Sequence, residues 1–254
     1  EGVLYRQVNK SFKENFDLFT GGGCYEALVK KGLLIPHQTI DQNLTGTEGY
    51  YKTLQPETIP FISYPYEWSF DMLKDSALLT LQLLKESISF GMILKDATPY
   101  NIQWHKGKLI FIDSLSFEKY DEHQPWIAYR QFCESFLSPL LLMHYSRQPL
   151  QQMELAYPDG IPLAVTKSLL PGRSRFSLHT WLHIHLHAKV AGKNSSNSNN
   201  QQSNFSKQKL FNLISSLETL IYKLKLEASH SIWSEYYEEA AKRNDYLDQK
   251  KQLI

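Results

Sequence analysis

The chain has 254 residues, 42% of them apolar and 13% aromatic, enough to bury a real core in one large domain or two small ones. A formal net charge of +1 excludes the strongly basic footprint of a nucleic-acid binder, and no apolar run reaches the length of about eighteen residues that a membrane span needs. The two cysteines, Cys24 and Cys133, stand far apart, and Glu1-Gly2-Val3 carries no basic-plus-apolar targeting pattern, so a reducing cytoplasm is expected rather than a disulfide framework.

Val3 to Val8 alternates and reads as a strand. Residues 11 to 31 read as helix in two pieces, interrupted by Gly21-Gly22-Gly23. The triple glycine follows no apolar strand and lacks a Lys-Ser/Thr end, so it reads as a turn between helices rather than a nucleotide loop. Leu33 to His37 and Gly49 to Leu54 read as strands joined by a polar turn, and Thr58 to Pro65 as an extended segment with prolines at its edges. Tyr66-Glu67-Trp68-Ser69 then opens a long helix. Phe70, Leu73, Ala77, Leu81, Leu84 and Ile88 fall on one of its faces, and Gly91 is placed to end it.

Met92-Ile93-Leu94 leads into Lys95-Asp96-Ala97-Thr98-Pro99-Tyr100-Asn101, and a hairpin follows around His105-Lys106-Gly107-Lys108. Trp126 to Tyr145 is aromatic, apolar and helical, and reads as a buried helix pair. His183 and His187 share a helix face at a spacing seen in zinc sites. No His-Glu-x-x-His pattern and no nearby Cys accompany them, which favours a His-rich face over a metal site. Residues 192 to 208 are almost all Ser, Asn, Gln, Gly and Lys and read as a disordered linker. Leu210, Leu213, Leu217, Leu220 and Leu224 then form an amphipathic stripe, suited to packing on its own domain or to a partner helix at 210–224. Residues 232 to 254 read as a charged helical tail.

The chemistry concentrates at Asp96, Asn101 and Asp113. Phosphoryl transfer needs a carboxylate to orient the attacking hydroxyl, oxygen ligands for Mg²⁺ and a cation on the phosphates. Asp96, an Asn five residues on and an Asp closing the apolar run Ile110-Phe111-Ile112 after a hairpin supply the first two in the required order. With the helix before them and the extended stretch before that, residues 60 to 120 resemble the core of the protein-kinase and aminoglycoside-phosphotransferase superfamily. The resemblance implies an α+β, protein-kinase-like fold with a small β-rich N-lobe at 1–65 and a larger helical C-lobe at 66–191. Residues 192–208 would be the linker, and 209–254 amphipathic helices connecting onward. It also implies Asp96 as the catalytic carboxylate, Asn101 and Asp113 as metal ligands, and ATP with Mg²⁺ as cofactors. Arg6 on the first strand, with Glu26 as its helix partner, would stand where that superfamily places its Lys–Glu pair. Leu94 and Lys95 before Asp96, and Ser114-Leu115 after Asp113, depart from the superfamily's usual residues, and no glycine-rich phosphate loop is visible.

A second resemblance runs through Tyr5-Arg6-Gln7-Val8, Ile62 to Phe70, Leu94 to Gln103, Ile112 to Glu118 and Trp126 to Cys133. These segments are similar to the N-terminal region of bacterial proteins described as class I SAM-dependent methyltransferases, some of them nodulation-associated. In that family the tail helix leads into a Rossmann-like domain. Residues 1 to 254 contain no strand followed by a Gly-x-Gly turn, so SAM binding is implied only for a domain absent from this chain. Three functions follow as expectations: a kinase-like module of a methyltransferase-type protein that binds Mg-nucleotide, an active small-molecule phosphotransferase, or a non-catalytic interaction scaffold.

Overall fold

The computed structural model describes residues 2–187 and 206–227 and is an α+β structure with a small sheet region and a larger helical part. Of the strand expected over Val3 to Val8 only the second half is paired: β1 runs Arg6–Asn9, with Val8 fully buried. Two helices follow, α1 (Lys13–Gly21) and α2 (Cys24–Lys30). The turn between them requires glycine. A Cβ on Gly22 would fall 2.5 Å from the Leu18 carbonyl oxygen, and Gly23 has φ of 80°.

β2 (His37–Ile40) and β3 (Tyr50–Pro56) complete an antiparallel sheet of order β1-β3-β2. The strand expected at Leu33 to His37 is displaced. β2 begins at His37, and Leu33 to Ile35 is drawn instead to Phe111, whose N–H donates to the Leu33 carbonyl at 2.9 Å while Ile35 N–H donates to its carbonyl at 2.8 Å. Leu33, Leu34 and Ile35 are all buried. An unbroken apolar run of this kind suits a segment covered on both faces, not an alternating sheet strand.

After Glu57, whose N–H donates to the Pro36 carbonyl at 2.9 Å, the segment 58–64 joins no sheet, in keeping with its prolines. It is held by Gln103, whose buried side chain accepts the Ser63 N–H and donates to the Ser63 carbonyl, both at 3.0 Å. Trp68 Nε1 donates to Ser63 Oγ at 2.9 Å. Next comes α3 (Phe70–Ser89), its N-terminus capped by Ser69 Oγ accepting from Met72 N–H. All six residues expected on its core face are buried, and it ends ahead of Gly91 at φ 71°.

β4 (Met92–Leu94) pairs with β7 (Phe117–Lys119), enclosing the expected hairpin of β5 (Ile102–His105) and β6 (Lys108–Phe111). Lys106 and Gly107 both take positive φ at the hairpin tip, the geometry of a two-residue turn that follows the twist of its strands. Beyond it, α4 (Tyr129–Phe132), a π-helical turn at Cys133–Leu137 and α5 (Ser138–Ser146) form one continuous run in place of the expected helix pair. Pro139 has no N–H and its ring crowds the carbonyl four residues back. The wider turn ahead of it absorbs that misfit without breaking the helix.

Short helices α6 (Met153–Ala156), α7 (Leu163–Leu169) and α8 (Leu178–Thr180) lead to a second π-helical turn at Trp181–Leu186. The last described helix, α9 (Lys207–Lys223), starts two residues inside the expected linker, capped by Ser206. Its stripe of Leu210, Ile214, Leu217, Leu220 and Ile221 is buried, and it packs on α3. Lys85 Nζ holds both Glu218 oxygens at 2.9 Å, and Lys74 Nζ caps the Tyr222 and Leu224 carbonyls. The stripe thus faces the chain's own core, the first of the two expectations for it, while Phe211 and Leu213 at its margin are half-buried and Tyr222 is exposed. Most of the expected linker and all of the tail at 232–254 lie outside the described residues. Among the described residues no helix is long and apolar enough to cross a membrane.

Candidate functional site

Asp113 sits where β6 leaves the hairpin, and its carboxylate is surrounded by donors. Arg6 Nη1 on β1 forms an ion pair with Oδ1, Leu115 N–H donates to Oδ1 at 2.8 Å, and Ser116 Oγ donates to Oδ2 at 2.8 Å. Asn101 closes a 3₁₀ turn at Pro99–Asn101 directly before β5, and its carbonyl accepts the Ile112 N–H at 2.8 Å. Its side-chain amide donates to the same Ser116 Oγ at 3.4 Å, which leaves its side-chain carbonyl as an acceptor. Ser116 therefore joins Asn101 to Asp113.

Asp96 lies in the loop between β4 and that 3₁₀ turn. Gln131 on α4 donates from Nε2 to Asp96 Oδ1 at 2.7 Å and accepts the Ala97 N–H on Oε1 at 2.7 Å. The loop is anchored on both sides. Trp126 Nε1 donates to the Leu94 carbonyl at 2.6 Å, and Lys95 N–H donates to the Ser116 carbonyl at 2.8 Å. Lys95 Nζ rests 4.0 Å from the centre of the Phe12 ring.

Arg6, Asn101 and Asp113 are thus brought together through contacts, and Asp96 is fixed on the neighbouring loop. Glu26 is not part of the group. It is exposed in the first turn of α2, and the carboxylate that Arg6 meets is Asp113. A strand followed by a helix supplies many Arg–Glu pairs in sequence; here the tie between Leu33–Ile35 and Phe111 carries the β6 end close to β1 instead.

Beside the Arg6–Asp113 pair lies a cleft of 440 Å³ between the sheet, the segment 57–62 and the stretch that follows the hairpin at Ile112 and Ser114. Leu4, Ile35, Leu54, Ile59, Ile62 and Ile112 give it apolar walls, with Arg6, His37, Glu57 and Ser114 at the polar margin. His37 Nδ1 lies 3.1 Å from Ser114 Oγ, and burial lowers its pKa to about 4, so the ring is neutral near pH 7. Glu57 is held by Lys106 and, at 3.1 Å, by His105 Nε2; these hydrogen bonds, with Lys106 foremost, lower its pKa.

Sequence reasoning missed Gln131, Ser116 and His37. Gln131 and Ser116 carry no spacing signal. His37 was legible only as the end of an apolar run. The histidine cluster forms a packed polar knot. His183 lies between Tyr129 OH at Nδ1 and Ser216 Oγ at Nε2, both at 2.8 Å, one ring nitrogen donating and the other accepting, and Ser216 Oγ also meets His179 Nδ1 at 2.9 Å. Burial pushes the His183 pKa down to about 4. Among the described residues no group of three or more His, Cys, Asp or Glu side chains is arranged to hold a metal ion.

The chain is 39% identical over 145 residues to nodulation protein NoeA of Rhizobium meliloti (strain 1021), a match that covers 57% of this chain and 30% of that protein. The matched part thus spans less than a third of the curated relative's length. No family model and no solved structure matches.

Proposed function

We propose that this chain is a kinase-like module that binds a Mg²⁺–nucleotide complex in the cleft beside Arg6 and Asp113. The observation that carries this reading is the contact of Arg6 with Asp113 at the mouth of an apolar cleft of 440 Å³. A cation on a sheet strand facing a carboxylate after a hairpin is the charge arrangement a polyphosphate with its metal calls for, and the apolar walls suit a base. The element order of sheet, extended segment, long helix, Asp96 loop, hairpin and Asp113 supports the same reading.

The residues present fit Mg²⁺, which takes hard oxygen donors. Asp113 Oδ2 and the Asn101 side-chain carbonyl are such donors, both positioned through Ser116. Asp113 and Asn101 would hold the ion, and Arg6, released from Asp113, would contact phosphate. When bound, Mg²⁺ would neutralise phosphate charge. The held Asp96 carboxylate favours a second reading on the same site, phosphoryl transfer to a small-molecule hydroxyl that Asp96 orients. On the resemblance to methyltransferase-type proteins, this module would be one part of a longer chain, with SAM binding belonging to another domain.

The test is thermal unfolding of the chain with ATP, with and without Mg²⁺. ATP at about 100 times its dissociation constant stabilises by about 2.7 kcal/mol, a shift of several degrees. The shift should require Mg²⁺ and vanish in Asp113→Asn. No shift with any nucleotide would overturn this reading and favour the interaction scaffold.

A further inference from the structure

We propose that Gln131 is a positioning residue for Asp96, holding one carboxylate oxygen so that the other faces an acceptor hydroxyl. This rests on the reading of Asp96 as the group that orients the attacking hydroxyl. The Gln131 amide spends both of its ends on two consecutive residues: Nε2 on Asp96 Oδ1 and Oε1 on the Ala97 N–H, each at 2.7 Å. The pairing fixes the orientation of the amide, because exchanging its nitrogen and oxygen would set donor against donor at Ala97 and acceptor against acceptor at Asp96.

The clamp has a rigid mounting. Gln131 sits on α4 next to Phe132 and Cys133, both fully buried, and Trp126 at the foot of the same helix is bonded to the Leu94 carbonyl just ahead of the loop. Helix and loop therefore keep their relative places. An unheld carboxylate rotates and offers either oxygen. With Oδ1 bound, and Oδ2 without a hydrogen-bond partner among the described residues, one oxygen is presented in one direction. Pre-orientation of a reacting group is worth orders of magnitude in rate when the geometry is tight. A glutamine does this without adding a charge beside the carboxylate.

A tie that only held the loop would affect folding and nucleotide affinity. A positioning role affects turnover and its pH dependence. The experiment measures steady-state ATP hydrolysis, water acting as acceptor, together with Mg-ATP thermal stabilisation, for the chain and for Gln131→Met and Gln131→Glu. Gln131→Met should lower kcat about tenfold or more while KM for ATP stays within about twofold. Gln131→Glu sets a second carboxylate against Asp96 and should move the acidic limb of the pH–rate profile to higher pH. Gln131→Glu keeps the test open should Gln131→Met fail to fold. Unchanged kcat and an unmoved pH limb in the folded variants would overturn the proposal. So would the absence of turnover in a wild-type chain that binds Mg-ATP, a result that leaves the nucleotide-binding reading standing. The absence of Mg-ATP binding would overturn both.

Discussion

Arg6 and Asp113, 107 positions apart, meet in an ion pair that joins the edge strand of the sheet to the end of the hairpin. The Asp113 side chain is 15% exposed and the Arg6 side chain 43%, so the carboxylate is shielded while the guanidinium keeps a path to solvent. Leu115 N–H and Ser116 Oγ hold the carboxylate from its own loop, so Asp113 does not depend on Arg6 for its place.

Arg6→Ala should therefore cost little stability, less than about 1 kcal/mol after solvent screening of so exposed a cation. Its effect on Mg-ATP should be larger, with affinity falling about tenfold through loss of the phosphate contact. Urea unfolding and nucleotide titration on the same variant separate the two.

Gln103→Leu should be far more damaging to the fold. It leaves the N–H and carbonyl of Ser63 without their partner in a buried position, at about 1–3 kcal/mol for each group. A loss of about 2–6 kcal/mol in urea unfolding is expected, with the segment around Ser63 the first part to lose protection in hydrogen exchange.

Much of this architecture was legible in the sequence, for local reasons. The 3.6-residue spacing of Phe70 to Ile88 marked α3, and alternation with a Lys-Gly tip marked the hairpin. Both signals act over a few residues. The displaced β2 was not legible, because Leu33 to Ile35 has the composition of a strand and only the distant Phe111 decides which strand it joins. The π-helical turn before Pro139 was hidden for a similar reason: packing kept the helix going where the proline alone would have broken it. At the site, Asp96, Asn101 and Asp113 could be singled out by spacing. The partner of Arg6 could not, since strand-to-helix proximity suggested Glu26 and the contact with Asp113 arises from tertiary structure.

The pH dependence of stability should carry the mark of His183. Burial is the main cause of its lowered pKa, with the neighbouring His179 and His187 adding to it, from an ordinary 6.5 to about 4. Its protonated form is disfavoured in the fold, so the unfolded chain binds the extra proton between those values. The stability it contributes is fully present above about pH 6.5 and is lost as pH falls toward 4, at up to about 1.4 kcal/mol per pH unit. His183→Gln should flatten that part of a stability–pH curve. An unchanged slope would show that another group titrates there, His37 being the first alternative.

Glu154 should act in the opposite sense. Its side chain is 3% exposed, Oε2 has no hydrogen-bond partner among the described residues, and burial raises its pKa to about 8. The protonated acid is favoured in the fold, so its contribution is fully present below about pH 4.5 and disappears as pH rises through 8. Glu154→Gln, which keeps the shape without the charge, should stabilise the chain by about 1–3 kcal/mol at pH 8 and by much less at pH 5. Equal effects at the two pH values would contradict this.

Asp113 and Arg6 frame the proposed Mg-nucleotide site. Calorimetric titration of ATP into the chain tests it most directly, run with Mg²⁺, with EDTA, and on Asp113→Asn with Mg²⁺. Saturable binding that requires Mg²⁺ and is weakened at least tenfold by Asp113→Asn is the predicted result. Absence of binding, or binding indifferent to both Mg²⁺ and Asp113, would contradict it.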